Sequence, residues 1–325
     1  MTDTRTEAPG DFTTAAEPLR RELLAHCYRM LGSVADAEDA VQETYLRAWR
    51  AYDRFEGRAS VRSWLYRIAT NTCLTALERR ERRALPSGLG GPAADPAAPL
   101  AADQSVAWLQ PVPDALVAPS AQDPGEIVAS RESMRLALVA SLQYLPARQR
   151  AVLILRDVLA FSAAEVAEIL DTTVAAVKST LQRARGRLDE VAPARDDVAE
   201  PSEPERRALL DRYIEAIENA DPEALRRLLH DDLVLEATPQ RTWYAGVATC
   251  LPFLVRHVFG AGRWRMVPTG ANGQPAVVAY VDGGDGVYRA YGVVVLTVAA
   301  GGIRRINAFG EPGLAAAFGC PSELG

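Results

Sequence analysis

Residues 36–49, DAEDAVQETYLRAW, predict an amphipathic helix on which the interpretation of the N-terminal part of the chain depends. Val41, Tyr45 and Ala48 recur at helical spacing on one face. A second face, which runs from acidic to apolar, consists of Asp39, Gln42, Glu43 and Leu46. An acidic face would repel the phosphates of DNA, so a partner on this side would be a protein. The alternative is that the face is simply solvated.

A further helix is predicted immediately before this one. Its apolar positions follow helical spacing and are Leu19, Leu23, Cys27, Met30 and Leu31. Gly32 interrupts the pattern, and Ser33 with acidic residues after it has the signature of a new N-cap, so a helix over residues 35–52 is expected. His26 lies within the apolar pattern, and its spacing predicts a core histidine rather than a metal ligand.

The next segment is strongly basic. Residues 54–83 contain eight arginines and three acidic residues, and Ser60 begins a predicted helix whose core stripe is Val61, Leu65 and Ile68. On another face lie Trp64, Arg67 and Asn71. An aromatic ring, a guanidinium and an amide together offer base stacking, phosphate pairing and hydrogen bonds to base edges. The alternative is a solvated basic helix with a core tryptophan.

A helix-turn-helix is predicted farther along the chain. Ser162 and Glu165 form a capping box, residues 171–173 break the pattern, and a longer helix follows. Residues 172–187 carry four basic side chains and no acidic one. The side chains predicted to face a DNA groove are Ala175, Lys178, Ser179, Gln182, Arg183 and Arg185. A plain three-helix bundle would give a similar pattern.

Between these helical regions, residues 86–125 contain eight prolines, four aspartates and no lysine or arginine. This composition predicts a flexible linker rather than a core. Within it the segment WLQPVPDAL, residues 108–116, is apolar enough to dock on something. A second linker covers about residues 192–204.

The C-terminal part predicts helices followed by an antiparallel sheet, and therefore an α+β domain. Leu209, Tyr213 and Ile217 mark one helix, and Asp221 is the predicted N-cap of the next, with Pro222 at its first position. A third helix follows WYAG near residues 247–258. The strand candidates are RWRMVPT, PAVVAYV, VYRAYGVVVLTVA and GIRRINAF.

Composition excludes several classes of protein. The longest apolar run, near residues 292–300, is far shorter than the ~20 residues that cross a bilayer, and no secretory signal is visible. Four scattered cysteines favour neither a disulfide framework nor a zinc site. A soluble cytoplasmic protein with no metal and no cofactor is expected. The net charge of −6 argues against DNA binding when taken over the whole chain, but the two basic segments carry +5 and +4.

Two stretches resemble bacterial extracytoplasmic-function (ECF) RNA polymerase sigma factors. DAEDAVQETYLRAW with FEGRASVRSWLYRIATNTCLTALERR, residues 55–80, resembles sigma region 2, and residues 142–188 resemble region 4. The resemblance implies a region 2 domain at 17–85, the linker at 86–125 and a region 4 domain at 126–191. It also implies binding to the β′ clamp helices and the β flap of core RNA polymerase, and to promoter DNA.

The resemblance assigns roles to particular residues. Binding to the clamp helices would involve Asp39, Gln42, Glu43, Leu46 and Trp49. Melting and recognition of the −10 element would involve Phe55, Arg58, Ser63, Trp64, Arg67, Asn71, Arg79 and Arg80. Recognition of the −35 element would fall to Lys178 and its neighbours. Asp171 stands where the family often has glycine, and aspartate tolerates the left-handed backbone better than most residues.

The domain expected at residues 205–320 resembles the SnoaL-like, ketosteroid-isomerase-type cone fold, and with WLQPVPDAL and NGQPA (272–276) it resembles ECF factors that carry a fused C-terminal domain. The fold class is therefore multidomain, with two all-α sigma domains and an α+β cone. Candidate interior residues are Tyr213, Trp243, Tyr244, Phe253 and Arg265. We expect no catalytic residue and predict regulation in cis through contact with the sigma domains or the linker. The alternatives are a helix-turn-helix regulator that acts without polymerase, and a sigma-like protein whose cone is an active isomerase or cyclase.

Overall fold

The computed structural model describes residues 12–55, 57, 59–78, 82–100, 102–118, 131–191 and 201–325. The chain divides into two compact units. The first is formed by residues 1–82 and 116–192, and the second by residues 83–115 and 193–325. Within the described ranges, no helix is both long and apolar enough to cross a membrane.

The N-terminal part of the first unit is helical. Its helices are α1 (Phe12–Ala16), α2 (Arg20–Leu31), α3 (Val34–Ala51) and α4 (Val61–Leu77). Gly32 ends α2 in the left-handed conformation, with φ of 70°. The Ser33 hydroxyl caps α3 by accepting a hydrogen bond from the Asp36 N–H, which confirms the predicted helix start.

The second part of the first unit contains α5 (Leu136–Leu142), α6 (Ala147–Leu153) with a π-helical turn at Ile154–Val158, α7 (Ala163–Ile169) and α8 (Val174–Val191). The capping box of Ser162 and Glu165 begins α7 as predicted. Asp171, in the turn between α7 and α8, has φ of 49° and adopts the left-handed conformation expected of it. The helix-turn-helix is therefore confirmed.

Two buried arginines connect the parts of the first unit. The Arg150 guanidinium donates to the backbone oxygens of Met30, Gln143 and Leu145 and to Oε1 of Gln143. The Arg29 guanidinium donates to Ser133, at 3.2 Å to the carbonyl oxygen and 2.8 Å to Oγ. Burial lowers the pKa of each arginine to about 10, so both remain charged at neutral pH. Each arginine thus has an acceptor in the other part of the unit, Ser133 for Arg29 and Met30 for Arg150, and Gln143 and Leu145 hold the Arg150 charge from within its own part.

His26 is a core residue, as its spacing predicts. The ring is fully buried, and Nε2 lies 3.0 Å from Oγ1 of Thr70 on α4. Burial, with a smaller contribution from Arg29, lowers the pKa of His26 to about 3. The ring is therefore neutral at physiological pH and packs edge-on against Tyr66.

The second unit is α+β. Its helices are α9 (Glu203–Glu218), α10 (Pro222–Arg226), α11 (Val247–His257) and α12 (Leu314–Ala317). Its strands are β1 (Leu229–Thr238), β2 (Trp243–Ala245), β3 (Arg263–Ala271), β4 (Gln274–Asp282), β5 (Tyr288–Ala299), β6 (Gly302–Phe309) and β7 (Glu323–Leu324). The cap of α10 by the Asp221 side chain is as predicted.

These seven strands form one sheet in the order β2-β1-β6-β5-β4-β3, with β7 paired to β5. The sequence predicted a fully antiparallel sheet. This prediction is wrong for one strand pair, because β1 and β6 run parallel. β1 was not predicted, since Leu228 and Leu229 continue the helical spacing that Leu225 begins in α10, although Leu229 already belongs to the strand. The apolar side of the sheet packs against α9, α10 and α11 around Leu225, Leu233 and Leu296.

Candidate functional site

The outer face of α3 carries exposed apolar side chains within an acidic strip. Leu46 and Trp49 are 49% and 66% exposed, whereas Val41 and Ala48 are fully buried on the opposite face. Asp39 and Gln42 are also exposed, and Glu43 is half-buried. We call Asp39, Gln42, Glu43, Leu46 and Trp49 the α3 strip. Two large apolar side chains exposed one turn apart on the same helix face make this strip a candidate surface for a partner.

Glu43 lies at the edge of the α3 strip. Its carboxylate accepts a hydrogen bond of 2.6 Å from Nε of Arg47, one turn along the helix. Exposed pairs of this type contribute less than about 1 kcal/mol. Glu43 can therefore exchange this partner for another at small cost.

An aromatic cluster occupies the junction between α3 and α4. The ring centroids of Phe55 and Trp64 lie 4.8 Å apart. Tyr52 stacks on Phe55 with a centroid distance of 6.2 Å and an angle of 8° between the ring planes. The centroid of Trp64 is 6.1 Å from that of Tyr52. We call Tyr52, Phe55 and Trp64 the aromatic cluster. It offers several π-faces in one place, as stacking of an unpaired base requires.

Two members of this neighbourhood were missed by the sequence analysis. Tyr52 was read only as the end of a helix, and Phe12 lies in a segment without an apolar periodicity. The Phe12 ring contacts Tyr52 at 5.3 Å and Tyr45 at 6.0 Å between centroids. The Tyr45 hydroxyl donates to the Ala16 carbonyl and so fastens α1 over this region. The proximity of Tyr45, Tyr52 and Phe55 in the sequence was the available signal for Tyr52, and no signal in the sequence connected Phe12 with them.

The other residues predicted for the −10 element fall into three groups. Arg67 and Asn71 are exposed on α4. Ser63 lies in the first turn of α4 rather than in the preceding loop, and its N–H donates to Oγ of Ser60. The remaining three lie outside the described residues: Arg58, Arg79 and Arg80.

The helix α8 presents a polar face to solvent. Val177, Leu181 and Ala184 are buried on its inner side. All six side chains predicted to contact DNA are exposed: Ala175, Lys178, Ser179, Gln182, Arg183 and Arg185. The structure therefore brings the predicted residues together on one face of one helix.

Arg185 has a partner that the sequence did not reveal. Its guanidinium donates to both carboxylate oxygens of Asp157, at 2.7 and 2.8 Å. Asp157 lies in the π-helical turn after α6, so this bidentate pair holds α8 against α6. The pair uses Nε and Nη2 of Arg185, and the Asp157 carboxylate offsets part of the charge with which this guanidinium would attract a phosphate.

The candidate interior residues of the second unit do not all lie together. Tyr213, Tyr244 and Phe253 are buried, and the rings of Tyr244 and Phe253 are 4.6 Å apart between centroids. Burial raises the pKa of Tyr213 above its usual range. The placement of Arg265 in the interior is wrong: β3 alternates, so Trp264 points inward and Arg265 outward, where its guanidinium lies over Tyr288.

Within the second unit, the linker segment WLQPVPDAL contacts the turn between β3 and β4. The Val112 N–H donates to Oδ1 of Asn272, and the Asn272 N–H donates to the Val112 carbonyl, both at 3.0 Å. The Gly273 N–H donates to Oδ1 of Asp114 at 2.7 Å. Val112 and Asn272 thus exchange hydrogen bonds in both directions. Together with the bond from Gly273 to Asp114, these bonds join WLQPVPDAL to NGQPA.

Other parts of the linker are attached to the same unit. The Ser87 N–H donates to the buried carboxylate of Glu236, which also accepts from Arg305 and Asn307. Arg241 donates to the Asp103 carboxylate at 3.1 Å. Within the predicted linker 86–125, the described residues 86–100 and 102–115 are therefore attached to the α+β domain at several points, and a flexible tether is the wrong description of this part. The described part of the chain contains no group of three or more His, Cys, Asp or Glu placed to hold a metal ion.

Comparison with known proteins gives matches over most of the chain. Residues 16–83 match the family Sigma-70 region 2, residues 135–188 match Sigma-70, region 4, and residues 210–306 match the SnoaL-like domain. The chain is 49% identical over 321 residues to the ECF RNA polymerase sigma factor SigG of Mycobacterium tuberculosis, a match that covers 98% of this chain and 86% of that protein.

A second relative from the same organism has a solved structure. The ECF RNA polymerase sigma factor SigJ of Mycobacterium tuberculosis is 32% identical over 219 residues, which cover 67% of this chain and 62% of SigJ. The crystal structure of SigJ superposes with a TM-score of 0.61 and 26% sequence identity, covering 95% of this chain and 99% of that one. The similarity therefore includes the helical regions and the C-terminal α+β domain.

Proposed function

The chain belongs to the extracytoplasmic-function (ECF) family of RNA polymerase sigma factors, and on that basis we propose which of its surfaces bind polymerase and promoter DNA. As a sigma factor it binds core RNA polymerase and directs promoter recognition and DNA melting. Its place of action is then the cytoplasm, where the polymerase works. The domain limits proposed from the sequence are 17–85, 86–125, 126–191 and 205–320.

The α3 strip is the surface that binds the β′ clamp helices. The observation that carries this assignment is the exposure of Leu46 and Trp49 beside the acidic residues. Apolar anchors surrounded by polar groups supply most of the affinity of protein interfaces. The acidic side chains around them favour a basic partner and disfavour DNA.

The aromatic cluster and α4 recognise and open the −10 element. Opening requires a base to leave the stack, which costs a few kcal/mol and must be offset by new contacts. Stacking on aromatic side chains contributes about 1–3 kcal/mol per base. Arg67 and Asn71, exposed on the same helix, are available for phosphate and base contacts. Arg58, Arg79 and Arg80 remain predicted members of this site.

The polar face of α8 recognises the −35 element. Lys178, Ser179 and Gln182 lie one helical turn or less apart and are exposed. A helix with this face fits the major groove, where good contacts to base edges are worth about 1–3 kcal/mol each. The β flap is the proposed polymerase partner of this region.

Replacing Lys178 and replacing Arg185 should have different effects on promoter affinity, and this difference tests the assignment of α8 to the −35 element. Lys178→Ala should lower the affinity of the holoenzyme for a promoter with a matched −35 element roughly 5- to 100-fold, since it removes a groove contact. Arg185→Ala should cost less than about threefold, because the Asp157 carboxylate already offsets the charge of this guanidinium. Electrophoretic mobility shifts on matched and scrambled −35 elements give both values. Equal affinity of the wild-type holoenzyme for the two elements would contradict the role of α8.

The C-terminal domain acts in cis as a docking module rather than as an enzyme. This proposal rests on the paired hydrogen bonds between Val112 and Asn272, which fix the linker on the sheet. The linker joins the two promoter-binding regions, so its attachment limits how far they can separate. A contact within one chain works at an effective concentration near millimolar, so even a weak bond can regulate.

Releasing the linker should change promoter opening. Asn272→Ala with Asp114→Ala removes two side-chain hydrogen bonds that hold WLQPVPDAL, those from the Val112 N–H and the Gly273 N–H. We expect run-off transcription by the reconstituted holoenzyme to rise about threefold or more, since a free linker lets the regions separate. Deletion of residues 205–325 should change promoter opening as well. Arg265→Ala, an exposed change on β3 away from these bonds, is the control. Unchanged opening in the double variant and in the deletion would refute regulation in cis.

A further inference from the structure

One side chain of region 4 packs directly against region 2 within the first unit. Phe161, just before α7, is only 3% exposed. Its ring meets that of Tyr66 on α4 edge-on, with the centroids 5.1 Å apart and an angle of 69° between the ring planes. The Arg62 guanidinium, also on α4, lies over the Phe161 ring at 4.7 Å from its centroid. An aromatic pair and a cation–π contact therefore join the two regions.

The side chains of region 2 that contact Phe161 are held in place by a carboxylate on α2. The Arg62 guanidinium donates to the Glu22 carboxylate at 3.0 Å. The Tyr66 hydroxyl donates to the same carboxylate oxygen at 3.4 Å. Arg62 also lies over the Tyr66 ring, 5.1 Å from its centroid. Glu22 thus orients both groups that contact Phe161.

The segment that presents Phe161 has an unusual backbone. Residues Ile154–Val158 form the π-helical turn, and Ala160 has φ of 55°, a left-handed conformation that is unfavourable for alanine. The Arg156 guanidinium donates to the Phe161 carbonyl, which fixes the end of the segment. Unfavourable backbone conformations persist where surrounding contacts hold them, and they are concentrated at functional sites. The backbone of this segment therefore indicates that the position of Phe161 has a function.

The other contacts between the two regions involve guanidinium groups. Arg82, which follows α4 in the chain, lies over the ring of Tyr144 in region 4 at 4.0 Å from its centroid. The guanidinium groups of Arg29 and Arg150 also donate across the boundary. Interfaces between domains that move relative to one another are more polar than permanent cores, because water can replace the polar contacts. The composition of this interface is thus suited to separation.

The closed first unit leaves its binding surfaces exposed but holds them close together. The α3 strip, the polar face of α8, and Arg67 and Asn71 on α4 are all accessible in it. A compact unit of about 160 residues is only about 40 Å across. The −10 and −35 elements, about 25 base pairs apart, are separated by about 85 Å of duplex. The closed unit therefore cannot reach both elements at once.

We propose that Phe161, Arg62 and Tyr66 form an autoinhibitory latch, which holds regions 2 and 4 too close together for one molecule to engage both promoter elements. The inference rests on the proposed function. Because the α3 strip is exposed while the latch is closed, core polymerase binds the closed protein first, and the regions separate afterwards on the polymerase. The latch prevents full promoter binding by setting a distance, and it leaves both DNA-binding faces uncovered.

Energy transfer between two dyes on the full-length protein measures the separation of the regions. The dyes are attached at Thr75→Cys on α4 and Glu168→Cys on α7, two exposed positions. Cys320, which is partly exposed, is replaced by serine, and the other three cysteines are buried. Single molecules of the free protein should show high transfer efficiency, and core polymerase should lower it. The measurement on the free protein does not involve polymerase.

Weakening the latch should speed up separation on the polymerase. Since opening follows binding, its rate should reach a plateau as the polymerase concentration rises. Phe161→Leu with Arg82→Ala should raise this plateau about 5- to 50-fold, because leucine fills the space but offers no π-face to Arg62, and the contact with Tyr144 is lost. The open fraction of the free double variant should rise by a similar factor.

A second variant and a control accompany the double variant. Arg62→Gln keeps Phe161 and should raise the plateau about 3- to 10-fold, since it removes only the cation–π contact and the pair with Glu22. Arg21→Ala, an exposed change on α2 outside the latch, should leave the plateau unchanged. Thermal unfolding shows whether each variant is folded at the temperature of the assay.

Two results would overturn the latch. One is low transfer efficiency in the free wild-type protein. The other is a plateau rate that is the same in the wild type, the folded double variant and Arg62→Gln. Failure of core polymerase to bind any of the proteins would contradict the proposed function instead. In that case the open fractions of the free wild type and the free double variant decide the latch, and equal fractions would overturn it.

Discussion

Replacing Trp64 by alanine should reduce promoter opening roughly 10- to 100-fold while leaving the affinity for core polymerase nearly unchanged. The Trp64 ring lies 4.8 Å from Phe55 and 6.1 Å from Tyr52, so its removal takes one wall from the aromatic cluster. A lost stacking contact is worth about 1–3 kcal/mol per base. The α3 strip is formed by other residues and is untouched. Permanganate reactivity of unpaired thymines measures opening, and anisotropy of labelled protein measures polymerase binding.

Trp64→Phe is the matched control for this prediction. Phenylalanine retains an aromatic face, so Trp64→Phe should recover most of the promoter opening. If the indole had only a structural role, promoter opening in both variants would instead fall in proportion to the loss in melting temperature. Trp64 is half-buried, so thermal unfolding of each variant must be recorded. Permanganate reactivity of Trp64→Ala equal to that of the wild type would contradict the assignment of the aromatic cluster to DNA melting.

Replacing Leu46 and Trp49 together by alanine should weaken binding to core polymerase about 30- to 1000-fold. Truncating an anchor at the centre of an interface typically costs 2–4 kcal/mol. Both side chains are largely exposed in the free protein, so the double change should alter thermal stability little. Asp39→Ala with Gln42→Ala should also weaken binding to core polymerase, but by a smaller factor, since these side chains supply polar contacts. Fluorescence anisotropy with core polymerase provides the affinities.

Arg50→Ala is the control for the α3 strip. Arg50 is exposed near the end of the same helix but does not belong to the strip. Its replacement should leave the affinity for polymerase within about twofold. If the Leu46 and Trp49 double variant bound polymerase as tightly as the wild type, the α3 strip would be a solvated face, the alternative that the sequence left open.

Local patterns predicted the helical units well because their signals are short-range. The cap at Ser33, the capping box at Ser162 and the left-handed Asp171 each depend on residues within four positions. Helical periodicity also placed the α3 strip and the polar face of α8 on solvent-exposed sides. The fold class was confirmed for the same reason, since helices followed by strands already imply an α+β domain.

Two of the errors concern partners that are distant in sequence, and one concerns the face of a strand. Nothing near Val112 indicates that Asn272, 160 positions away, completes its hydrogen bonds. Arg185 looked free because Asp157 lies on another helix. Arg265 was placed inside although alternation with the buried Trp264 could have excluded it. In each case a tertiary contact, or the face of the strand on which the residue lies, determined the position of the side chain. Composition carries no information on either.

Transcription from a promoter template with purified core polymerase tests the central claim most directly. The protein with core polymerase should give a run-off transcript and permanganate-reactive thymines at the −10 element, and the protein alone should give neither. The Leu46 and Trp49 double variant should fail in this assay while its melting temperature stays within a few degrees of the wild type. Sequence-specific promoter binding by the protein alone, with no transcript when core polymerase is added, would contradict the account and favour a helix-turn-helix regulator that acts without polymerase.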